Sequence, residues 1–136
     1  MLGELLYKGK GRLAGSRVLN ADEYKVELSM IEEGKFKDVE ITLLGTFWTI
    51  PAGKSVTYVE GKGIITKDGE DTATFRGYGI GNSRGQVSVS FRGSAIYKSS
   101  TSRTNGKLSF LNIKIGVFES EVDESGTSTE QHWEWK

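Results

Sequence analysis

A chain of 136 residues with 36% hydrophobic content is long enough to bury one core, and its aromatic and branched residues are spread too evenly for wholesale disorder. It has no cysteine, which excludes a disulfide scaffold, thiol catalysis and any thiolate metal site. Lys plus Arg number 18 and Asp plus Glu number 18, so the basic excess of a chain that holds nucleic acid is missing, and no nucleic-acid partner is expected.

From the start, Met1 to Leu13 carries Glu4, Lys8 and Lys10 and no apolar stretch of signal-peptide length. Nothing in the chain is a long enough apolar run to span a bilayer as a helix. A soluble, cytoplasmic, single domain covering 1–136 is therefore expected. The alternation of apolar and polar residues predicts strands over 4–13, 23–31, 36–48, 55–66, 71–81, 86–98, 107–115, 117–123 and 127–135. Tyr24, Val26, Leu28 and Met30 alternate with Lys25, Glu27 and Ser29. Val87, Val89, Phe91, Gly93, Ala95 and Tyr97 alternate with a mainly polar set in the same way. Phe118, Ser120 and Val122 alternate with Glu119, Glu121 and Asp123, and Trp133 and Trp135 with His132 and Glu134. Each pattern reads as one face inward and one face to water.

Between these runs lie turn signals at Glu32-Glu33-Gly34-Lys35, Lys67-Asp68-Gly69-Glu70, Asn82-Ser83-Arg84-Gly85 and Asp123-Glu124-Ser125-Gly126. The Asp68-Gly69 pair is the strongest, because both residues tolerate the positive φ of a type I′ hairpin turn. Ile50-Pro51-Ala52-Gly53 reads as a turn, and 98–106, rich in Ser, Thr and Asn, as a long loop. Eighteen glycines against one proline argue against long helices, since each helical Gly costs roughly 1 kcal/mol relative to Ala. The predicted fold is all-β, an antiparallel up-and-down barrel of about eight strands, with a two-sheet sandwich as the alternative.

Phosphate and dinucleotide motifs fail on context. Gly53-Lys54-Ser55 resembles the end of a Walker loop, but Trp48 stands where its first glycine belongs and a strand follows. Gly9-Lys10-Gly11-Arg12-Leu13-Ala14 fits the loose dinucleotide pattern without the strand–helix unit that pattern needs. No metal set or cofactor is expected. His132 is the only histidine, and alternation puts it opposite Trp133 and Trp135, hence outside. Glu119, Glu121 and Asp123 share a strand face and read as a charged solvent row rather than a paired-carboxylate site. From Thr72 to Phe118 there is no acidic residue, while Glu119 to Lys136 is acidic. Cross-strand charge pairing explains that asymmetry more simply than an anion-binding rim.

The candidate ligand-binding set is the group of aromatics assigned to the interior: Tyr24, Phe75, Phe91, Tyr97, Phe118 and Trp133. An eight-stranded barrel is either filled by its side chains or holds one small ligand. No catalytic residue is assigned.

Tyr97-Lys98-Ser99-Ser100, Gly116-Val117-Phe118-Glu119 with Glu121-Val122-Asp123, and Trp133-Glu134-Trp135-Lys136 resemble an uncharacterised prokaryotic family of small all-β proteins. Gly61-Lys62-Gly63, Asp68-Gly69-Glu70 and Gly77-Tyr78-Gly79 fit the same pattern. The resemblance implies a fold but no activity. The layout is similar to lipocalin-like and allene-oxide-cyclase-like barrels, which bind or convert apolar molecules, although the Gly-x-Trp that lipocalins carry near their start is missing. Three readings follow. The first is a non-catalytic barrel binding a small apolar or amphipathic molecule. The second is a filled interaction module or homo-oligomer. The third is an isomerase- or cyclase-type enzyme using Glu60, Arg76 or Tyr78.

Overall fold

Eight antiparallel strands, each hydrogen-bonded to the next and the last to the first, close into an up-and-down barrel. The structure, a computed structural model, describes residues 2–69, 71–84, 88–99 and 106–136. In chain order the strands are β1 (Leu2–Asn20), β2 (Lys25–Phe36), β3 (Val39–Gly53), β4 (Val56–Lys67), β5 (Asp71–Arg84), β6 (Ser88–Ser99), β7 (Lys114–Asp123) and β8 (Thr127–Trp135). Closure disposes of the sandwich alternative and leaves no sheet edge.

Several strand assignments change: β1 runs on from the expected 4–13 to Asn20, and Ile50-Pro51-Ala52-Gly53, expected as a turn, belongs to β3. The stretch expected as a strand over 107–115 is instead a short 3₁₀ turn, Ser109–Leu111, followed by the start of β7. Leu108 and Leu111 are buried there against Leu6, Ile41, Leu43 and Tyr97, plugging one end of the barrel. The turn expected at Glu32–Lys35 lies inside β2, and the chain reverses at Lys37, whose φ is +53°. Gly34 was read as turn punctuation; its role is to give room. A Cβ there would sit 2.4 Å from the Lys8 carbonyl oxygen and 2.8 Å from the Tyr7 ring. The Asp68-Gly69 hairpin is as expected, with φ of +52° and +71°. The predicted loop over 98–106 falls at 100–105 outside the described residues.

Small residues inside let large rings lie across the barrel. A Cβ on Gly63 would come within 2.3 Å of the Phe75 ring, and one on Gly9 within 1.9 Å of the Tyr7 hydroxyl. This glycine–aromatic pairing fills a narrow interior without splaying the strands. The buried residues form two groups, one around Leu6, Tyr7, Phe36 and Tyr97 at the plugged end, the other around Met30, Val59, Phe91 and Val122. The outer wall is partly apolar too. Ile96, Ile115, Trp135 and Leu2 are all about half exposed, and Ile96 faces Ile115 while Leu2 faces Trp135 across the strand pairs.

Charges on the outer wall pair across strands. Arg92 stands opposite Glu119 in the β6–β7 register, and Lys10 opposite Glu33 in the β1–β2 register. The basic middle and acidic end of the sequence are thus neighbouring strands of one cylinder. Glu119, Glu121 and Asp123 are exposed as a solvent row. Glu60, Arg76 and Tyr78, the candidates of the enzyme reading, also face out: Glu60 pairs with Tyr78, which is 62% exposed, and Arg76 is exposed.

Candidate functional site

Between the two core groups lies a cavity of about 70 Å³. Its apolar wall comes from Phe47, Phe75, Phe91 and Phe118 together with Met30 and Val59, and its polar end from Ser120, Glu130 and His132. Three of the six aromatics singled out in the sequence therefore line it: Phe75, Phe91 and Phe118. Tyr97 is fully buried but sits behind the cavity, hydrogen-bonded to His132. Tyr24 and Trp133 are not inside. Tyr24 occupies the β1–β2 turn with φ +54° and is 75% exposed, because the strand begins one residue later. Trp133 lies on the outer face opposite Leu5 and Val117, since the buried residues of β8 are Ser128 and His132.

That register reverses the reading of His132, which is 1% exposed and points inward. The cause is the unbroken register of β8 with β7, which sets His132 opposite Phe118 and Glu130 opposite Ser120, and β1 adapts to it by a bulge. The pairing of β1 with β8 shifts between Leu5 and Tyr7, so that Leu5 meets Trp133 and Tyr7 meets His132. Leu6 is the extra residue of this bulge, and both Leu6 and Tyr7 are fully buried as a result.

His132 belongs to a buried polar chain that crosses the barrel. The Tyr97 hydroxyl bonds its Nδ1, and Glu130 Oε1 lies 2.5 Å from its Nε2. The Glu130 and Glu32 carboxyls are near enough for each to shift the other's titration. Glu32 in turn accepts from the Tyr7 hydroxyl at Oε1 (2.9 Å) and from the Ser128 hydroxyl at Oε2 (2.8 Å). Among the described residues no buried side-chain nitrogen or oxygen lacks a partner, as a polar network in a low-dielectric interior requires. Ring contacts pack the chain: Tyr7 stacks on Phe36 at 4.5 Å, and His132 lies 5.6 Å from Phe118.

The electrostatics follow from burial. Removal from water pushes the Glu32 carboxyl up to about 8, with the neighbouring Glu130 charge adding to the effect. Burial likewise pushes Glu130 up to about 7. The two are in contact and titrate as a pair. With burial holding Glu32 up at about 8, this pair holds a proton at neutral pH. Burial pushes His132 down to about 4, so its ring is neutral. Tyr7 and Tyr97 are driven well above the ordinary phenol range, first by burial and then by carboxylate charge. A Tyr97 phenol that keeps its proton donates it to Nδ1, leaving the Nε2–H of His132 to donate to Glu130.

Tyr7, Glu32 and Ser128 escape the sequence reading. Glu32 had a usable signal, because it continues the inward series of Met30, two residues away on β2, but the false turn at 32–35 hid it. Among the described residues no group of three or more His, Asp or Glu is placed to hold a metal ion. None of the described helices is long and apolar enough to cross a membrane.

No protein-family model and no curated protein matches the chain. Solved structures do. One is a conserved protein of unknown function from Rhodopseudomonas palustris, 12% identical, with a TM-score of 0.72 over 99% of this chain and 98% of that one. Another is a beta-barrel like protein from Acinetobacter baumannii AYE, 14% identical, with a TM-score of 0.76 over 100% of this chain and 96% of that one. At such identities the likeness is one of fold.

Proposed function

We propose that the barrel binds a small, neutral, mainly apolar molecule in its interior cavity, with the polar end of that molecule against Ser120 and Glu130. The observation that carries this reading is a phenylalanine-walled cavity into whose lining β7 and β8 bring Ser120, Glu130 and His132, with Thr46 and Lys62 contributed by β3 and β4. A mainly apolar wall with a few polar groups is the usual composition of a ligand site. Volume sets the ligand class. The cavity of about 70 Å³ is under half of the roughly 150 Å³ that accommodates benzene in an engineered apolar cavity, which points to about three to five heavy atoms. A lipid chain does not fit this interior as it stands. Charge sets the rest, because a carboxyl pair that holds a proton favours a neutral carbonyl or hydroxyl group over an anion.

The test is a heteronuclear NMR titration of the protein with acetone and with cyclobutanone. The expected result is a saturable shift of amides around Phe47, Phe75, Phe91, Phe118 and Glu130, with the outer wall unmoved. Shifts that never saturate, or that scatter over Ile96, Ile115 and Trp135 outside, would overturn the binding reading.

A further inference from the structure

We propose that the cavity is also a proton-transfer site, in which Glu130 takes a proton from the carbon beside the carbonyl of a small neutral ketone or aldehyde and returns it, while the Ser120 hydroxyl hydrogen-bonds the carbonyl oxygen. This rests on the binding reading above and goes beyond it, from occupancy to chemistry.

Placement is the first argument. Ser120 and Glu130 stand directly opposite one another in the β7–β8 register, and both line the cavity. Residues so paired have Cβ atoms roughly 5 Å apart, close enough for one small molecule to touch both. Phe75, Phe91 and Phe118 form part of the apolar wall, so a bound carbonyl has these polar groups to turn to.

Positioning is the second. Glu130 is held at Oε1 by His132, and His132 is held from behind by Tyr97. The Glu32 carboxyl touches the other side of the same group and is itself fixed by Tyr7 and Ser128. A carboxyl held by His132 on its own strand and flanked by Glu32 on β2, each fixed in turn by a tyrosine, is far more ordered than a solvated glutamate, and such restraint is what a general base requires. Tyr7, Glu32 and Tyr97 are positioning residues in this scheme, since none of them lines the cavity, whereas His132 both lines it and holds Glu130.

The step balances without any further reactant. Glu130, as the carboxylate, accepts the proton, and the electron pair of the broken C–H bond becomes the C=C of an enolate. The carbonyl π pair moves to oxygen, where the Ser120 O–H donates a hydrogen bond. Reprotonation by Glu130 at the same carbon restores the ketone, and at another carbon of an unsaturated substrate it gives an isomer. The Glu130 side chain retains 11% exposure, so the captured proton exchanges with solvent.

In D₂O the proposal therefore reads out as deuterium entering the methyl groups of acetone, followed by ¹H NMR. The wild-type protein is expected to exceed the Glu130→Gln variant by at least about a hundredfold, the usual contribution of a positioned base. Ser120→Ala is expected to retain the fold and lose about tenfold or more. Glu121→Gln, on the outer wall, is expected to match wild type. Each variant is first titrated with acetone as above, which checks its fold and its binding together. If acetone binds but wild type exchanges it no faster than Glu130→Gln, the proton-transfer proposal is overturned and binding stands. If Glu130→Gln does not fold, a folded Ser120→Ala that exchanges as fast as wild type overturns it instead. If acetone does not bind, both readings fall.

Discussion

Glu32 and Glu130 are the residues on which the physics of this molecule turns. Carboxyls are rarely buried unless paired or protonated, and these are both. Each is raised in the folded protein above its ordinary value of 4.5. A raised carboxyl supports the fold fully below its unfolded value and loses that support as pH climbs through its folded value. His132 acts oppositely, because its value falls from 6.5 to about 4 and so favours the fold as pH rises between them. Two carboxyls outweigh one imidazole. Stability is therefore expected to fall from about pH 5 to pH 8, by on the order of 1 kcal/mol per pH unit for each net proton. Thermal unfolding followed by circular dichroism across that range checks it. The variant Glu32→Gln with Glu130→Gln should flatten the slope, and a wild-type midpoint that rises towards pH 8 would contradict the assignment. Little of this was legible beforehand. Phe75, Phe91 and Phe118 announce themselves as inward by hydrophobicity, whereas an inward glutamate looks like any solvated one until its strand's register is known.

Strands are where period and register separate. Period-two alternation is a local property, and it located nearly every strand and the Asp68-Gly69 hairpin. Which face points inward is not local when both faces carry apolar residues. On β8 the tryptophans at 133 and 135 outweigh Ser128, Glu130 and His132 in hydrophobicity, yet the register with β7, which sets His132 opposite Phe118, turns the polar set inward. Glycines misled in the opposite sense, by resembling turns. Gly93 shows what they do: a Cβ there would stand 1.9 Å from the Tyr78 carbonyl oxygen on the neighbouring strand. Backbone is the obstacle, so relief requires β5 and β6 to part. Gly93→Ala is expected to cost about 1–3 kcal/mol or more by overpacking, measured as a shift in the urea midpoint. A midpoint within error of wild type would show that the strands are not packed this closely.

At the scale of the whole molecule, closure explains how a modestly hydrophobic chain keeps a polar interior. With every strand paired on both sides, the backbone is satisfied around the cylinder. The 3₁₀ turn at Ser109–Leu111 then stoppers one end with Leu108 and Leu111. That arrangement buries the middle layer deeply enough to raise its carboxyl values. Barrel closure was readable from strand number and even spacing; the plug was not, because its apolar residues mimic a ninth strand. The most direct test of the account is a pH titration of the glutamate side-chain carboxyl carbons by ¹³C NMR. The account predicts that Glu32 and Glu130 stay apart from the surface glutamates and take up their charge near or above pH 7, together rather than independently. Titration of every glutamate between about pH 4 and 5, the range of unperturbed carboxyls, would contradict it.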